Sequence, residues 1–555
     1  MYVILKIIGR IIMEYDLNMD FSRKMPIGIQ DFKDLREKDF IYVDKTQYVF
    51  KLVNEGKMYF LSRPRRFGKS LFLSTLKAYF LGQKELFEGL YIKKAEEALA
   101  KKMNREAWLE YPVLYLDFNI GKYDEPNSLK SHLNLTLTQF EEIYGAHEQE
   151  KEPAQRFAGI IKRAYEKTGK QAVILIDEYD KPLLQTMGIN ETLNEEYRNT
   201  LKSFYSVIKT CDQYIRLAFL TGVTKFSKVS IFSDLNNLED LSMLPNYAGI
   251  CGITEEELKT NFDFELGKLG EQTNSTYDEL LKYLKKQYDG YLFAKEGKSV
   301  YNPFSILNVL KSKNFANYWF STGTPTFLVN YLKDAHYYVP DLDGNVDINE
   351  TGLEAYRADA KTPIPILFQA GYLTIKEYIK EANLYRLGFP NNEVRYGFLQ
   401  NLLPAFSDLG VDQTGTAVWR FVEDIRAGKV DDFMERMRSI LAGIPYDNLT
   451  ETNLKLREQN YQTAVYLIFK LMGQFTETEI HCSTGRADCI VHTKDFIYIF
   501  EFKLTGQGSA QDAITQIKEK AYADPYISSG KKIMAVGSAF DEEKRNIKDW
   551  QKEIL

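Results

Sequence analysis

A Gly68-Lys69-Ser70 triplet, set between the apolar run MYFLS and the helix-patterned KSLFLSTLKAYFLG, limits what this chain can fold into more than any other feature. It calls for a strand, a loop and a helix N-terminus in that order, because this order presents a dipole and a row of backbone N–H donors to a polyphosphate. Lys69 would then reach the β and γ phosphates, and Ser70 would place its hydroxyl on Mg²⁺. One position departs from the G-x-x-x-x-G-K-S spacing: Arg63 stands where the first glycine would be. Taken alone, the triplet reads equally well as an ordinary helix start.

The setting is that of a parallel sheet. The runs YPVLYLDF (111–118), QAVILIDEYD (171–180) and YIRLAFLTGVTKFS (214–227) are separated by helix-patterned stretches, as strands buried on both faces would be. VILIDEYD puts Asp177 and Glu178 at the carboxyl edge of its strand, where open α/β sheets bind ligands. Asp177 would join the Mg²⁺ shell through water, and Glu178 would orient or deprotonate the attacking water. A solvated acidic turn is the competing reading of that pair by itself. Thr221, closing the next strand, would orient water beside the γ phosphate or simply end the strand in a turn. Arg63, Arg65 and Arg66 crowd the loop before Phe67 and Gly68, as phosphate charge compensation or as a solvated basic turn. Together, the two motifs in this order point to a bound nucleotide with Mg²⁺.

A second constellation lies further along: Gly485-Arg486-Ala487-Asp488, then IVHTKDFIYIF, then Glu501-Phe502-Lys503. Side chains alternate along a strand, so Glu501 and Lys503 share one face while Phe502 turns to the other. With Asp488 on the neighbouring strand of a hairpin, two carboxylates and an ammonium converge. The carboxylates would hold Mg²⁺ or Mn²⁺ at a phosphodiester, and the lysine would position water or stabilise charge. REQNYQTAVYLIF precedes these strands as a helix; SAQDAITQIKEKAYA follows as another, and KKIMAVGSAF as a strand. Glu458 would then be an outer metal ligand, and Gln516 and Lys520, one turn apart, would face the site. A surface hairpin with outward charges is what D…ExK means when it stands alone.

Composition narrows the classes of function. With 44% hydrophobic residues in 555, the chain can fill several cores. The 71 Lys and Arg against 77 Asp and Glu give a net charge of -6, which excludes a grip on nucleic acid through overall basicity. Residues 441–555 carry 14 Lys and Arg against 16 Asp and Glu, so any hold on DNA there must be local. Four cysteines without a CxxC pair fit a reducing cytoplasm. The run MYVILKIIGRIIM is interrupted by Lys6 and Arg10 and falls short of the roughly 20 residues a spanning helix needs. No membrane partner is expected. Residues 1–24 read as an N-terminal extension, with a short amphipathic helix as the competing view.

MPIGIQDF, IYVDKT, RPRRFGKSLFLSTL, VILIDEYDKPL, TGVTKFSKVSIFSDLNNL, YDGYLF and YNPFSIL resemble the AAA-ATPase-like family of bacterial proteins. GRADCIV, FEFKL and QIKEKAYA resemble the PD-(D/E)XK nuclease domain often found at the end of such chains, with Ala487 in place of the usual proline before Asp488. The resemblance implies a P-loop ATPase of the STAND or AAA-related kind, in which the RPRRFGKS form recurs. Lys69, Ser70, Asp177 and Glu178 would carry the nucleotide roles, and Asp488, Glu501 and Lys503 the metal and catalytic roles, with Glu458 and Gln516 in support. The expected fold is α/β. An extension (1–24) leads into a P-loop parallel sheet (25–253), a helical lid (254–335), a winged-helix-like region (336–444) and a PD-(D/E)XK nuclease fold (445–555). In the winged-helix-like region ILFQAGYLTIKEY and NLYRLGFPNNEVRYGFL suggest a helix followed by a two-stranded wing with Pro390 and Asn391 at its turn. The expected function is an ATPase coupled to a metal-dependent DNA nuclease. The rival is a nucleotide-binding switch or scaffold whose nuclease fold serves as a binding module.

Overall fold

The computed structural model describes residues 23–225, 237–320, 326–335, 337–354, 362–407, 409–443, 454–474, 480–482, 488–503, 508–541 and 546–555. Most of the expected N-terminal extension, the boundary near 445 and Gly485-Arg486-Ala487 lie outside the described residues. The chain divides into two compact units: Met1–Leu284 with Glu296–Phe315, and Lys285–Lys295 with Ala316–Leu555. The chain is α/β throughout.

In the first unit β1 (Met58–Ser62), β2 (Val113–Asp117), β3 (Ala172–Asp177), β4 (Ile215–Gly222) and β5 (Glu239–Asp240) pair in parallel, in the order β2-β3-β4-β1-β5. β1 and β3 are buried at every position, as the unbroken apolar runs require of strands covered on both faces. β2, at the edge, alternates between buried and half-buried. Two acidic residues make up β5, which carries no apolar signal. The order sets the carboxyl ends of β1, β4 and β3 side by side, so the Gly68-Lys69-Ser70 turn, Thr221 and Asp177-Glu178 share one edge of the sheet. Gly68 caps the helix Lys69–Phe80 in the left-handed region (φ 93°), a conformation glycine adopts without strain.

Helices follow the sheet. Glu255–Thr273 opens with a capping box in which Thr254 and Glu257 satisfy each other's backbone N–H. Asn302 caps Pro303–Ser312 through Ser305 N (3.1 Å).

The second unit contains an antiparallel sheet of β6 (Val346–Asn349), β7 (Thr374–Ile379) and β8 (Leu384–Gly388), ordered β6-β8-β7, with the short helix Ile364–Gln369 before β7. A helix followed by a two-stranded wing is present, but not with the expected turn. The chain reverses between Ile379 and Leu384, where Asn383 takes the left-handed conformation (φ 52°). Pro390 and Asn391 instead precede a helix, Asn392–Leu402, with Asn391 Oδ1 accepting from Val394 N at 3.1 Å. The correction has a plain cause: asparagine serves both as a left-handed turn residue and as a helix N-cap, and the sequence offers both kinds within nine positions.

The remaining strands, β9 (Ile480–Cys482), β10 (Cys489–His492), β11 (Phe496–Lys503), β12 (Lys532–Asp541) and β13 (Asn546–Ile554), form one mixed sheet ordered β13-β12-β11-β10-β9. β9, β10 and β11 are an antiparallel meander; the helix Ala510–Glu519 crosses over to β12, which runs parallel to β11. Helix, strands, helix, strand is the order expected; β13, largely exposed and charged, adds an antiparallel edge. Alternation sorts the two faces of β11. Ile497 and Ile499 pack with Ile514 and Ile517 of the crossover helix. On the other face, Phe500 meets Phe433 (5.4 Å) and Phe469 (5.0 Å) from helices Val430–Ala442 and Leu454–Met472.

Candidate functional site

At the edge shared by β1, β3 and β4, Lys69 is buried and its Nζ is bonded to Arg63 O (3.0 Å) and Pro64 O (3.3 Å) and paired with Glu178 Oε1 at 3.2 Å. Ser70 hydrogen-bonds to Asp177, whose carboxylate also accepts from Thr221 Oγ1 (2.7 Å) and Tyr115 OH (3.4 Å). Burial is the largest influence on Asp177 and raises its pKa, opposed by the Ser70 and Thr221 bonds and by Lys69. Five of the residues singled out in the sequence therefore stand within one connected network, Lys69, Ser70, Asp177, Glu178 and Thr221, with Gly68 next to Lys69 in the chain. The donor set is a lysine on a helix N-terminal loop, a hydroxyl and two acids, which is the equipment for holding a nucleotide's phosphates with a hard divalent cation.

The loop arginines separate into different environments. Arg63 is fully buried and donates to Ser62 O and Ser242 O (2.8 Å each) and to Tyr247 O (3.2 Å). Burial lowers its pKa to about 10, which leaves it charged at neutral pH. It braces the loop against the segment after β5, which is why an arginine can replace the first glycine of the spacing. Arg65 and Arg66 are exposed, and Arg66 (φ 67°) lies 4.9 Å over the Phe304 ring. Phe67 is a core side chain, so only its backbone can serve a ligand.

Sequence reasoning passed over Asp180. It is fully buried, and burial followed by the charge of Glu178 pushes its carboxyl up to about 6. Its local sign is a third acid three residues after Asp177, which a solvated turn would share.

The second site forms where β10 and β11 meet. The register pairs Cys489 with Phe500, which sets Asp488 opposite Glu501. Asp488 Oδ2 accepts the Phe502 N–H at 2.7 Å. Glu501 and Lys503 share the face covered by the crossover helix, and there Glu501 Oε1 accepts from Gln516 Nε2 and from Lys503 Nζ (3.4 Å), while Lys503 also donates to Gln516 Oε1. Glu501 Oε2 is buried and has no hydrogen-bond partner among the described residues. Burial and the neighbouring Asp488 raise the pKa of Glu501, and burial raises that of Asp488. A buried carboxylate oxygen without a donor, beside a second carboxylate, fits a Mg²⁺ or Mn²⁺ ion that takes one or two carboxylates and keeps water on its other positions. Gln516 reaches this site; Lys520 stands exposed at the end of its helix. Glu458 falls in helix Leu454–Met472, and its side chain lies outside the described residues.

Fold and geometry thus define a lysine–hydroxyl–carboxylate site at the edge of a parallel sheet and a carboxylate–lysine site on a mixed sheet, each on a separate unit. Residues 26–232 match the family model described as "Predicted AAA-ATPase", and residues 456–550 match that of the PD-(D/E)XK nuclease superfamily. A protein of Azotobacter chroococcum mcd 1 described as "Uncharacterized protein in vnfD 5'region" is 36% identical over 532 residues, covering 95% of this chain and 98% of the relative. The chain belongs to the AAA-ATPase-like family and carries a PD-(D/E)XK nuclease superfamily domain in its C-terminal part. Among the described residues no helix is long and apolar enough to cross a membrane.

Proposed function

We propose that the protein is an ATPase whose nucleotide cycle governs a divalent-metal-dependent DNA nuclease in the same chain. The observation that carries the nuclease half is the buried Oε2 of Glu501, without a hydrogen-bond partner among the described residues, beside Asp488, Lys503 and Gln516. Asp488 and Glu501 would hold the ion, with Glu458 as an outer ligand. A bound Mg²⁺ or Mn²⁺ supplies polarisation of the phosphodiester and a more acidic water. Lys503, fixed by Gln516, presents its ammonium to the same space and stabilises charge there.

For the nucleotide half, Lys69 exchanges the Arg63 and Pro64 carbonyls for the β and γ phosphates, with loop N–H groups from Arg65 to Gly68 around them. Ser70 would hold Mg²⁺ through its hydroxyl and Asp177 through water, and Thr221 and Glu178 would address the attacking water. The finer division into extension, ATPase sheet, lid, middle region and nuclease domain, and placement in the cytoplasm, belong to the same proposal.

The experiment compares wild type, Lys69→Ala and Glu501→Ala for Mg²⁺-dependent ATP hydrolysis and for cleavage of single- and double-stranded DNA with Mg²⁺ or Mn²⁺. Lys69→Ala is expected to remove ATP turnover, and Glu501→Ala to remove cleavage while ATP turnover persists. Equal cleavage by wild type and Glu501→Ala would sink the nuclease reading. A wild type that binds ATP and hydrolyses none would favour the switch or scaffold.

A further inference from the structure

Glu178 is held in a backbone conformation that its own chemistry disfavours. Its φ of 50° is left-handed, a region where the Cβ of an L residue crowds the neighbouring carbonyl. Such a residue persists only where its surroundings over-determine it. Here the surroundings include a set of hydrogen bonds between two segments, Asp177-Glu178-Tyr179-Asp180 and Thr221-Gly222-Val223-Thr224.

Thr221 secures both flanks of Glu178, its hydroxyl donating to Asp177 Oδ1 (2.7 Å) and its carbonyl accepting the Tyr179 N–H (3.0 Å). Tyr179 OH donates to Thr224 O at 2.9 Å. Asp180 closes the set: its Oδ2 accepts from Val223 N (3.0 Å), Thr224 N (2.6 Å) and Thr224 Oγ1 (2.7 Å). A Cβ on Gly222 would lie 2.5 Å from Asp180 Oδ1 and 2.6 Å from the Tyr179 ring, so only glycine lets the segments approach this closely. Burying a carboxylate is costly, and three donors converging on one of its oxygens make its position exact to within the reach of a hydrogen bond.

On the ATPase reading above, we propose that Asp180 is a positioning residue: by gripping Val223 and Thr224 it locks the end of β4 against the end of β3 and keeps Glu178 in the left-handed conformation from which its carboxylate meets Lys69. Asp180 acts through Glu178 and Thr221. Without the clamp, Glu178 relaxes toward ordinary backbone angles and its carboxylate moves. A misplacement of about 1 Å at a reacting centre costs on the order of 100-fold in rate, whereas the phosphate grip of Lys69 and the loop amides remains.

The test uses the full chain with Asp180→Asn and Thr224→Val, and Thr224→Ser as the variant that keeps the hydroxyl. It measures kcat and KM for Mg²⁺-ATP hydrolysis, the Kd of a fluorescent ADP analogue, and backbone hydrogen exchange. Asp180→Asn is expected to lower kcat by about 10-fold or more with the Kd changed by less than about 3-fold. Faster exchange should be confined to residues 177–180 and 221–224, with Thr224→Ser close to wild type and Thr224→Val between. A kcat within about 2-fold of wild type, or exchange rising through β1 and β3 together with lost nucleotide binding, overturns the proposal. A wild type inert toward ATP refutes the ATPase reading instead, and the clamp is then decided by the exchange pattern: localised change upholds it, and none or global change refutes it.

Discussion

Glu501 illustrates how a single side chain can be costly to the fold and useful to the site. Its carboxyl is buried beside Asp488, with one oxygen that has no partner among the described residues, and burial and then the Asp488 charge raise its pKa in the folded state. The folded protein therefore holds this proton to a higher pH than the unfolded chain does, whose glutamates titrate near about 4.3. Stability falls as pH rises from there through the folded pKa, and the penalty persists above it. Glu501→Gln abolishes that penalty. In EDTA, its Tm should match wild type below about pH 4, exceed it increasingly as pH rises through the folded pKa of Glu501, and keep that lead above it. Mg²⁺ should raise the wild-type Tm and leave the variant unmoved; a gap independent of pH and metal would contradict the raised carboxyl. The placement of Glu501 beside Asp488 and Lys503 was legible because strand alternation and the D…ExK spacing are local rules. The role of Arg63 was not, since a loop arginine turns toward phosphate or into the core according to carbonyls 179 and 184 positions away, at Ser242 and Tyr247.

At the scale of elements, β11 carries the C-terminal site because its two faces were assigned to different partners by period-two patterning. Isoleucines on one face seat the crossover helix that brings Gln516, and phenylalanines on the other bury against Phe433 and Phe469. How close that helix comes is set by Gly537 on β12, where a Cβ would collide with Ala510 O and lie 2.9 Å from Ala513 Cβ. Gly537→Ala should push the helix outward and destabilise the unit by about 1–3 kcal/mol. Chemical denaturation measures this, and cleavage should weaken with it, since Gln516 rides on the helix. An unchanged midpoint would mean the helix has slack. β13 and β5 went unread for the same reason: edge strands of charged residues form by pairing backbone with an existing sheet, and their side chains carry no periodic apolar signal.

For the whole molecule, the decisive question is which stretches share a core. Phe433 packs on Phe500, Tyr498 OH donates to Ile425 O at 2.8 Å, and Asp431 accepts from Trp550 Nε1 (3.1 Å) and pairs with Lys552 (2.5 Å). A fragment comprising 445–555 loses these partners. It should be less stable than a fragment comprising 285–555 by at least the 3–5 kcal/mol typical of one deleted core phenylalanine. Comparing their urea midpoints tests this, and equal midpoints would place the core entirely after residue 444. The linear chain by itself determined the α/β class, the strand–loop–helix around Lys69, the acidic strand end at Asp177-Glu178 and the Asp488, Glu501 and Lys503 set, because each is written in periodicity or spacing over a few residues. Tertiary structure alone decided that Arg63 is a brace, that Asp180 binds the end of β4, and that helices before residue 444 complete the C-terminal core. Burial and donor geometry come from residues distant in sequence, and no local pattern encodes them.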